Sequence, residues 1–421
     1  MYELRNRDRI VENGVWLYIL QLFNTVLPLA TIPYITRILG PSGYGFFSYA
    51  LNVVGYSQVV VEYGFGMSAT RKVAIGPEDS EGELNMLFSA VVYSRLFLWS
   101  AVSICLAVYS LLSKIQLMSN ICIWILHMGM IGYCFQQNWL FQGKQNMKYI
   151  SVIGMVSRIT SVVLVFLLVT DKDDVVIYCV LYSVTPIVIG AIGTVVAVLR
   201  FEVRFVRVSL NRMIEELKSG WNIFCTQFNS KIFNNIGITL LGIMYSAYEV
   251  GIYSAIHKIP NVLFLCWSPI NQVLYPIFSR EVSSSYSSGK KQVFKIQRKA
   301  LVFFSVLVAT LAVSARFLVS LLFGMEYIDY YYLVFPLLIW VLIGINNNFW
   351  GIQLMLGGGY DKEYRRCFNK SVVCTIIINI CLVSRYGMLG AAWSPLLSEI
   401  VLSIMLYFGI KRIEAEMSKG I

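Results

Sequence analysis

The chain has 421 residues, of which 57% are hydrophobic and 14% are charged, and its formal net charge is +11. The surface of a soluble protein of this length needs many more charges, so a soluble globular class is excluded. Apolar runs of about 20 residues, long enough to cross the hydrocarbon of a bilayer, recur throughout. They lack the alternating polarity of a membrane β-barrel, and the composition therefore predicts an all-α polytopic membrane protein.

Hydropathy predicts about twelve membrane-spanning helices along the chain. The spans are expected at residues 15–35, 45–66, 84–112, 118–141, 149–170, 174–199, 219–245, 249–279, 300–323, 330–356, 366–384 and 389–410. The first run is too long for a signal-peptide core and lacks a small-residue cleavage site, so we expect it to remain as span one. Among the lysines and arginines outside the span interiors, 25 lie in loops on one side of the membrane and four on the other, which predicts that both termini are cytoplasmic. The basic excess thus indicates topology and no nucleic-acid partner.

Span one leads into span two through ATIPYITRILGPSGYG, which begins at residue 30. Here we expect LGPSG to form the outer turn, with Gly43 and Gly45 permitting its tight geometry. Arg37 is then placed at the outer rim of the membrane, where it either anchors to lipid headgroups or contacts a cargo as it leaves.

The chain is expected to contain two similar halves. GFFSYA at the start of span two is echoed by GIYSAI at the start of span eight. Six spans in each half predict two six-helix lobes around a central cavity, as in transporters with parallel repeats. The predicted domains are an N-terminal lobe (1–199), a basic cytoplasmic connector (200–218) and a C-terminal lobe (219–421).

Polar residues inside several spans recur at helical spacing. Span one carries Asn24 beside Gln21 on one face, and span eight carries one long stripe, formed by His257, Asn261, Ser268, Asn271, Gln272 and Tyr275. Such residues either hold helices together or line a water-filled cavity. For the stripe of span eight we favour cavity lining, whereas the three asparagines 346–348 fit both interpretations equally.

Ionisable residues within spans are mostly basic. They are Arg95, Arg158, Lys231, His257, Lys258 and Arg316, against the two acids Glu62 and Glu399. A charge at the bilayer centre costs about 2.5–3.5 kcal/mol on insertion scales, so the unbalanced bases favour an aqueous, cationic cavity that suits an anionic cargo. The alternative for Arg95, Arg158 and Arg316 is that the side chain reaches to the membrane surface.

Sequence motifs of enzymes and of cofactor sites are absent from the chain. It has no P-loop, no GxSxG and no HExxH, and its nine cysteines form no CxxC pair. The cysteines are interpreted as small apolar packing residues. We therefore expect a protein that is not an enzyme and has no cofactor and no metal.

Several segments resemble one known family of membrane proteins. LYILQLFNTVLPLATIPYITRILGPSGYGFFSYA, VEYGFGMSATRKVA, QQNWLFQGKQNMKYI, GIYSAIHKIPNVL, NQVLYPIFSR and INNNFWGIQLMLGGGYDKEY are similar, in this order, to segments of O-antigen and polysaccharide-unit flippases of the Wzx type. The resemblance implies the fold of the multidrug/oligosaccharidyl-lipid/polysaccharide exporter superfamily. It also implies a cargo of undecaprenyl-pyrophosphate-linked oligosaccharide, moved between leaflets of a bacterial cytoplasmic membrane, with the bilayer, a polysaccharide polymerase and chain-length machinery as partners.

An alternating-access mechanism follows from this resemblance together with the polar spans. Candidates for substrate binding are Lys231, His257, Lys258, Arg158, Arg95, Asn261, Asn271, Gln272, Tyr275, Asn24 and Arg37. Candidates for ion coupling are Glu62 and Glu399, and the sequence leaves open whether the coupled ion is a proton or sodium. A drug antiporter of the same superfamily should have an acidic cavity, whereas the bases here predict a cationic one. A polysaccharide polymerase typically carries a large outer loop, whereas the outer loops predicted here are short. A peptidoglycan lipid-precursor flippase is the nearest alternative.

Overall fold

A computed structural model describes residues 2–76, 81–113 and 115–418 of the chain. These residues are almost entirely helical, and the described ranges contain no β-strand. Helices predominate because a chain in hydrocarbon must satisfy its own backbone hydrogen bonds. Two compact units are present, Met1–Lys231 and Ile232–Ile421.

The first unit is built from nine described helices, the last of which continues into the second unit. They are α1 (Tyr2–Glu62), α2 (Phe65–Ile75), α3 (Glu81–Leu112), α4 (Leu117–Gly129), α5 (Ile131–Cys134), α6 (Asn138–Gly143), α7 (Met147–Leu168), α8 (Val175–Phe201) and α9 (Leu210–Met244). Of the predicted connector 200–218, residues 202–209 lie between α8 and α9 and the others are helical, and the predicted division into domains stays a prediction. The boundary of the compact units lies within α9 rather than in this connector.

The second unit holds the remaining helices, including one 3₁₀ helix and one π helix. They are α10 (Ala247–Ile256), α11 (Lys258–Ser284), α12 (Tyr286–Val313), α13 (Ala315–Phe323), a 3₁₀ helix (Met325–Leu333), α14 (Val334–Asn348), a π helix (Phe349–Leu356) and α15 (Asp361–Ser418). The π helix continues directly from α14. Such a widened turn is rare and often marks a functional region.

Two very long helices are each divided by a glycine with positive φ. In α1 this residue is Gly40, with φ 65° and ψ 179°, and Pro41 follows it. In α15 it is Gly387, with φ 54°. Only glycine adopts this conformation readily, so each break falls at a predicted turn between two spans. The break itself is made at Gly40, and neither Gly43 nor Gly45 has positive φ. At Gly43 an added Cβ would lie 2.9 Å from Leu39 Cβ, so this glycine allows the close approach at the turn.

Eight helical stretches of the described residues are long and apolar enough to cross a membrane. One of them is α15, whose 58 residues cover two predicted spans on either side of Gly387. The count of twelve spans stays a prediction.

Helices α4, α5 and α8 pack with almost no space between their backbones. A side chain added at Gly132 would place its Cβ 2.2 Å from backbone atoms of Pro186, and one added at Gly190 would lie 2.2 Å from the Gly132 carbonyl. At Gly129 the nearest obstacle is Ser183, at 2.7 Å. Small residues allow such close approach, which is a main source of helix association in lipid.

Residues 202–209 form an irregular segment that lies on α3. The backbone N–H of Arg204 donates to Asn85 Oδ1 at 2.7 Å, and that of Val206 donates to Ser89 Oγ at 2.8 Å. The ring of Phe205 packs against Phe88 with centroids 4.9 Å apart. Side chains of α3 therefore satisfy backbone groups that a regular helix would have satisfied itself.

Candidate functional site

Lys231 is the basic residue that the sequence places deepest within a span, about one third of the way from the C-terminal end of α9. It is half-buried, and its Nζ lies 5.7 Å from the ring centroid of Tyr56 on α1. A Cβ at Gly55 would be only 2.5 Å from this Nζ. The missing side chain at Gly55 therefore leaves room for the ammonium group against α1, and the Tyr56 ring supplies a cation–π contact.

Arg95 is buried in α3, where its guanidinium group binds main-chain carbonyls. Its Nη1 donates to the carbonyl of Gln136 at 2.8 Å and to that of Tyr133 at 3.3 Å, and its Cζ lies 5.8 Å from the Phe65 ring. These carbonyls belong to the break between α5 and α6. A helix end leaves carbonyl groups without partners, and a cation is favourable there, so Arg95 stabilises the break.

The same break is supported from α8. Thr194 Oγ1 donates to the carbonyl of Phe135 at 2.8 Å, and Gln137 Nε2 donates to that carbonyl at 3.1 Å. Gln137 is almost completely buried. The QQNW segment thus forms an interruption of a membrane helix whose freed backbone groups are satisfied by neighbouring side chains.

Glu62 and Arg158 lie in the same unit as Arg95. Gln58 Nε2 donates to Glu62 Oε1 at 2.9 Å, and the negative charge of the Glu62 carboxylate interacts with the positive charge of Arg95. Arg158, half-buried in α7, is an electrostatic neighbour of Tyr133. The structure therefore brings the acid of span two near the buried base of span three.

In the second unit, His257 occupies the junction between α10 and α11. Its ring stacks on Trp340 of α14, with centroids 5.1 Å apart, and its Nδ1 lies 3.1 Å from Asn261 Nδ2. Lys258, the next residue, is half-buried at the start of α11. The polar stripe predicted for span eight thus begins with an imidazole held between an aromatic ring and an amide.

Further along α11, Asn271 contacts the π helix. Gln353 is completely buried, and its Nε2 donates to Asn271 Oδ1 at 2.6 Å. Gln272 and Tyr275 are exposed on α11, and Gln272 Nε2 lies 3.5 Å from Ser268 Oγ. The sequence did not single out Gln353, because one amide in an apolar run has no periodic partner on its own helix.

Glu399 is buried in α15 and is held by an amide. Asn347 Nδ2 donates to Glu399 Oε2 at 2.6 Å and to the Glu399 carbonyl at 2.8 Å, while Ser403 Oγ donates to Asn347 Oδ1 at 2.5 Å. Among the described ion pairs none includes Glu399. Asn347 is therefore placed here as a partner of the carboxyl group.

Two further candidates lie in α1. Arg37 is exposed, close to the Gly40 break, in agreement with a position near the end of a span. Asn24 belongs to the helical part of α1, and its side chain lies outside the described residues. In the part of the chain that the structure describes, no group of three or more His, Cys, Asp or Glu residues could hold a metal ion.

The fold is similar to that of solved membrane transporters. It aligns with lipid II flippase MurJ in an inward-closed conformation, at a TM-score of 0.75 and 11% identity, over 95% of this chain and 87% of the other. It also aligns with an inward-facing multidrug resistance MATE family transporter of the MOP superfamily, at a TM-score of 0.73 and 14% identity, over 97% and 100% of the two chains. The chain thus has the fold of these multi-pass helical membrane proteins, and the predicted all-α polytopic class is confirmed.

Sequence comparison gives the family within this class. A family model described as polysaccharide biosynthesis protein matches residues 10–282. A relative from Escherichia coli (strain K12), provisionally named an O-antigen transporter, is 28% identical over 411 residues, which are 96% of this chain and 97% of the relative. A relative from Shigella dysenteriae with the same name is 24% identical over 413 residues, covering 95% and 100% of the two chains.

The chain belongs to the polysaccharide biosynthesis protein family. The resemblance to flippases of the Wzx type is thereby confirmed, as is the expectation that the protein is a transporter and not an enzyme.

Proposed function

We propose that the protein moves undecaprenyl-pyrophosphate-linked oligosaccharide, the unit of an O-antigen or a related surface polysaccharide, from the inner to the outer leaflet of the bacterial cytoplasmic membrane. The observation that carries the proposal is Lys231, an ammonium group within an apolar helix bundle that lies against Gly55 and the Tyr56 ring. A base in that position suits a pyrophosphate headgroup. Support also comes from the near full-length similarity to relatives named as O-antigen transporters.

The mechanism is alternating access between the two sides of the membrane. Lys231, His257, Lys258 and Arg158 attract the charged headgroup, and Arg37 contacts it as it leaves. Amide and phenol groups of span eight donate to and accept from the sugar hydroxyls; they are Asn261, Asn271, Gln272 and Tyr275. The polyprenyl tail remains in lipid throughout, so only the polar headgroup requires an aqueous path.

The positive-inside distribution of basic residues supports a cytoplasmic position for both termini. The protein then receives its cargo at the face where lipid-linked sugars are assembled and delivers it to a polysaccharide polymerase and chain-length machinery on the other face. These partners belong to the proposal because a lipid-linked unit must be released from its carrier after transport.

Deletion and complementation in the polysaccharide-producing host test the proposal. Deletion is expected to cause accumulation of the lipid-linked oligosaccharide on the cytoplasmic side and loss of surface polysaccharide. The wild-type gene is expected to reverse both effects. Accumulation of a lipid-linked peptidoglycan precursor instead would favour the nearest alternative. If the deletion strain loses resistance to drugs but makes normal surface polysaccharide, a drug antiporter would be favoured.

A substitution at Lys231 tests the role of its charge. Lys231→Ala is expected to abolish surface polysaccharide while membrane-inserted protein stays at the wild-type level, because the charge is lost with little buried packing. Lys231→Arg, which keeps the charge, is the matched variant and should retain part of the activity. Normal polysaccharide in Lys231→Ala would contradict the proposed role of this residue.

Ion coupling is proposed for Glu399, because a buried carboxyl group held by the Asn347 amide can exist with and without its proton in nearly the same geometry. Glu62 is the other candidate, and its contact with Gln58 gives it a similar setting in the first unit.

A further inference from the structure

The first half of α9 carries an aromatic stripe. Trp221, Phe224 and Phe228 follow one another at helical spacing, and Lys231 continues the series. Ring centroids are 5.7 Å apart for the first pair and 5.6 Å apart for the second. At about 1.5 Å rise per residue, the stripe extends for about 15 Å along the helix and ends at the ammonium group.

Tyr56 of α1 and Tyr63, which follows α1 directly, complete the stripe within the same unit. Tyr63 stacks on Phe224, with centroids 4.6 Å apart and ring planes 10° apart, and it lies 6.5 Å from Trp221. Tyr56 lies 6.3 Å from Phe228 and 5.7 Å from the Lys231 ammonium. We call the five rings of Trp221, Phe224, Phe228, Tyr56 and Tyr63 the aromatic track.

The rings of the aromatic track keep part of their surface exposed. Trp221 is 53% exposed, and the other four rings are half-buried. By contrast, Phe65, which neighbours Tyr63, is completely buried, as is Phe88 in the core of the same unit. The rings therefore contact one another across α9, Tyr56 and Tyr63, and part of their aromatic surface stays uncovered.

Polar groups beside the aromatic track argue against a lipid-facing surface. Gln58 and Glu62 lie on α1 next to the tyrosines, bonded to each other at 2.9 Å and half-buried. Gln227 is exposed on α9 beside Phe228. Amide, carboxylate and ammonium groups are costly in hydrocarbon, so the uncovered side of the aromatic track faces water or a polar ligand.

Aromatic faces mixed with amides and a carboxylate match the chemistry of a sugar chain. A sugar ring presents C–H groups on one face, which pack on aromatic rings, and hydroxyl groups at its edge, which pair with amides and carboxylates. The ammonium at one end matches the phosphate to which the sugars are attached. A drug-like cation would not match a site that ends in a lysine.

We infer that the aromatic track binds the sugar portion of the lipid-linked headgroup, with the pyrophosphate at Lys231 and the sugars extending toward Trp221. The inference rests on the proposed function and adds to it a surface of the first unit that contacts the sugars, besides the polar groups of span eight. The aromatic track contributes to the affinity for the glycolipid and leaves the affinity for the bare lipid pyrophosphate unchanged.

Binding to purified protein in detergent tests the inference with two probes. One is the lipid-linked oligosaccharide extracted from the deletion strain, and the other is undecaprenyl pyrophosphate without sugar. Phe228→Leu is expected to weaken binding of the first about tenfold, since loss of one aromatic contact removes stacking of this order, and to leave binding of the second unchanged. Phe228→Tyr, which keeps the ring, should bind both as the wild type does.

Matched variants separate folding from binding. Trp221→Leu changes an exposed ring and should weaken glycolipid binding without lowering the melting temperature. Phe97→Leu changes an exposed ring on α3 and should leave the binding of both probes unchanged. If Phe228→Leu and Trp221→Leu bind the glycolipid as the wild type does, or if their affinity for both probes falls equally, the inference is wrong. A wild-type gene that fails to complement the deletion would instead count against the proposed function.

Discussion

Removal of the Arg95 guanidinium group is expected to destabilise the break between α5 and α6. Arg95 is 5% exposed and donates to the Gln136 carbonyl at 2.8 Å. In Arg95→Ala this carbonyl loses a charged partner, and a buried group left without its hydrogen bond costs about 1–3 kcal/mol. Loss of the contact with Phe65 adds to that, so we expect a total of about 2–4 kcal/mol.

Thermal unfolding of the purified protein in detergent measures this effect. A melting temperature lower by several degrees is expected, at about 2–4 °C per kcal/mol for a unit of this size. Arg95→Lys should be intermediate, because an ammonium group cannot present the planar fork of donors that guanidinium offers. Arg71→Ala, at an exposed position of α2, is the control and should melt as the wild type does. A variant Arg95→Ala with normal melting but no transport would refute the structural role and favour direct contact with the cargo.

Three further substitutions test other features. Gly132→Ala brings a methyl group to 2.2 Å from backbone atoms of α8 and should reduce the amount of membrane-inserted protein on an immunoblot, whereas Gly66→Ala, with open space around it, should not. Gly55→Ala should displace the flexible Lys231 ammonium and lower surface polysaccharide at a normal protein level; normal polysaccharide would mean that this gap does not position the lysine. Glu399→Gln should give folded protein whose export in vesicles ignores a proton gradient, and an unchanged response would exclude Glu399 as the coupling group.

Much of the fold could be predicted because hydropathy and helix formation have the same cause in a membrane. An apolar run must form a helix to satisfy its backbone, so the span predicted at 149–170 corresponds to α7, Met147–Leu168. Hydropathy does not mark the break between α5 and α6, which lies inside the fourth predicted span. The break depends on Arg95, which lies 41 residues before Gln136 in the sequence, and hydropathy does not report contacts between spans.

The candidate residues were harder to predict than the helices. A lysine or glutamate inside an apolar run is conspicuous, so the sequence singles out Lys231 and Glu399 as candidates, whose roles stay predictions. It does not single out Phe224 and Phe228, because aromatic residues at helical spacing are equally typical of a buried core. Only their partial exposure in the structure distinguishes them from fully buried rings such as Phe65.

The passage from one compact unit to the other inside α9 restricts how relatives can exchange segments during evolution. Phe224 stacks on Tyr63 in the first unit, whereas Phe233 lies 5.6 Å from Phe368 in the second. A crossover in the irregular segment 202–209 would join Phe224 from one parent to Tyr63 from another. Recombinant chimeras should therefore keep both sets of parental contacts only when the crossover falls inside the helix near Lys231, where no loop marks the boundary.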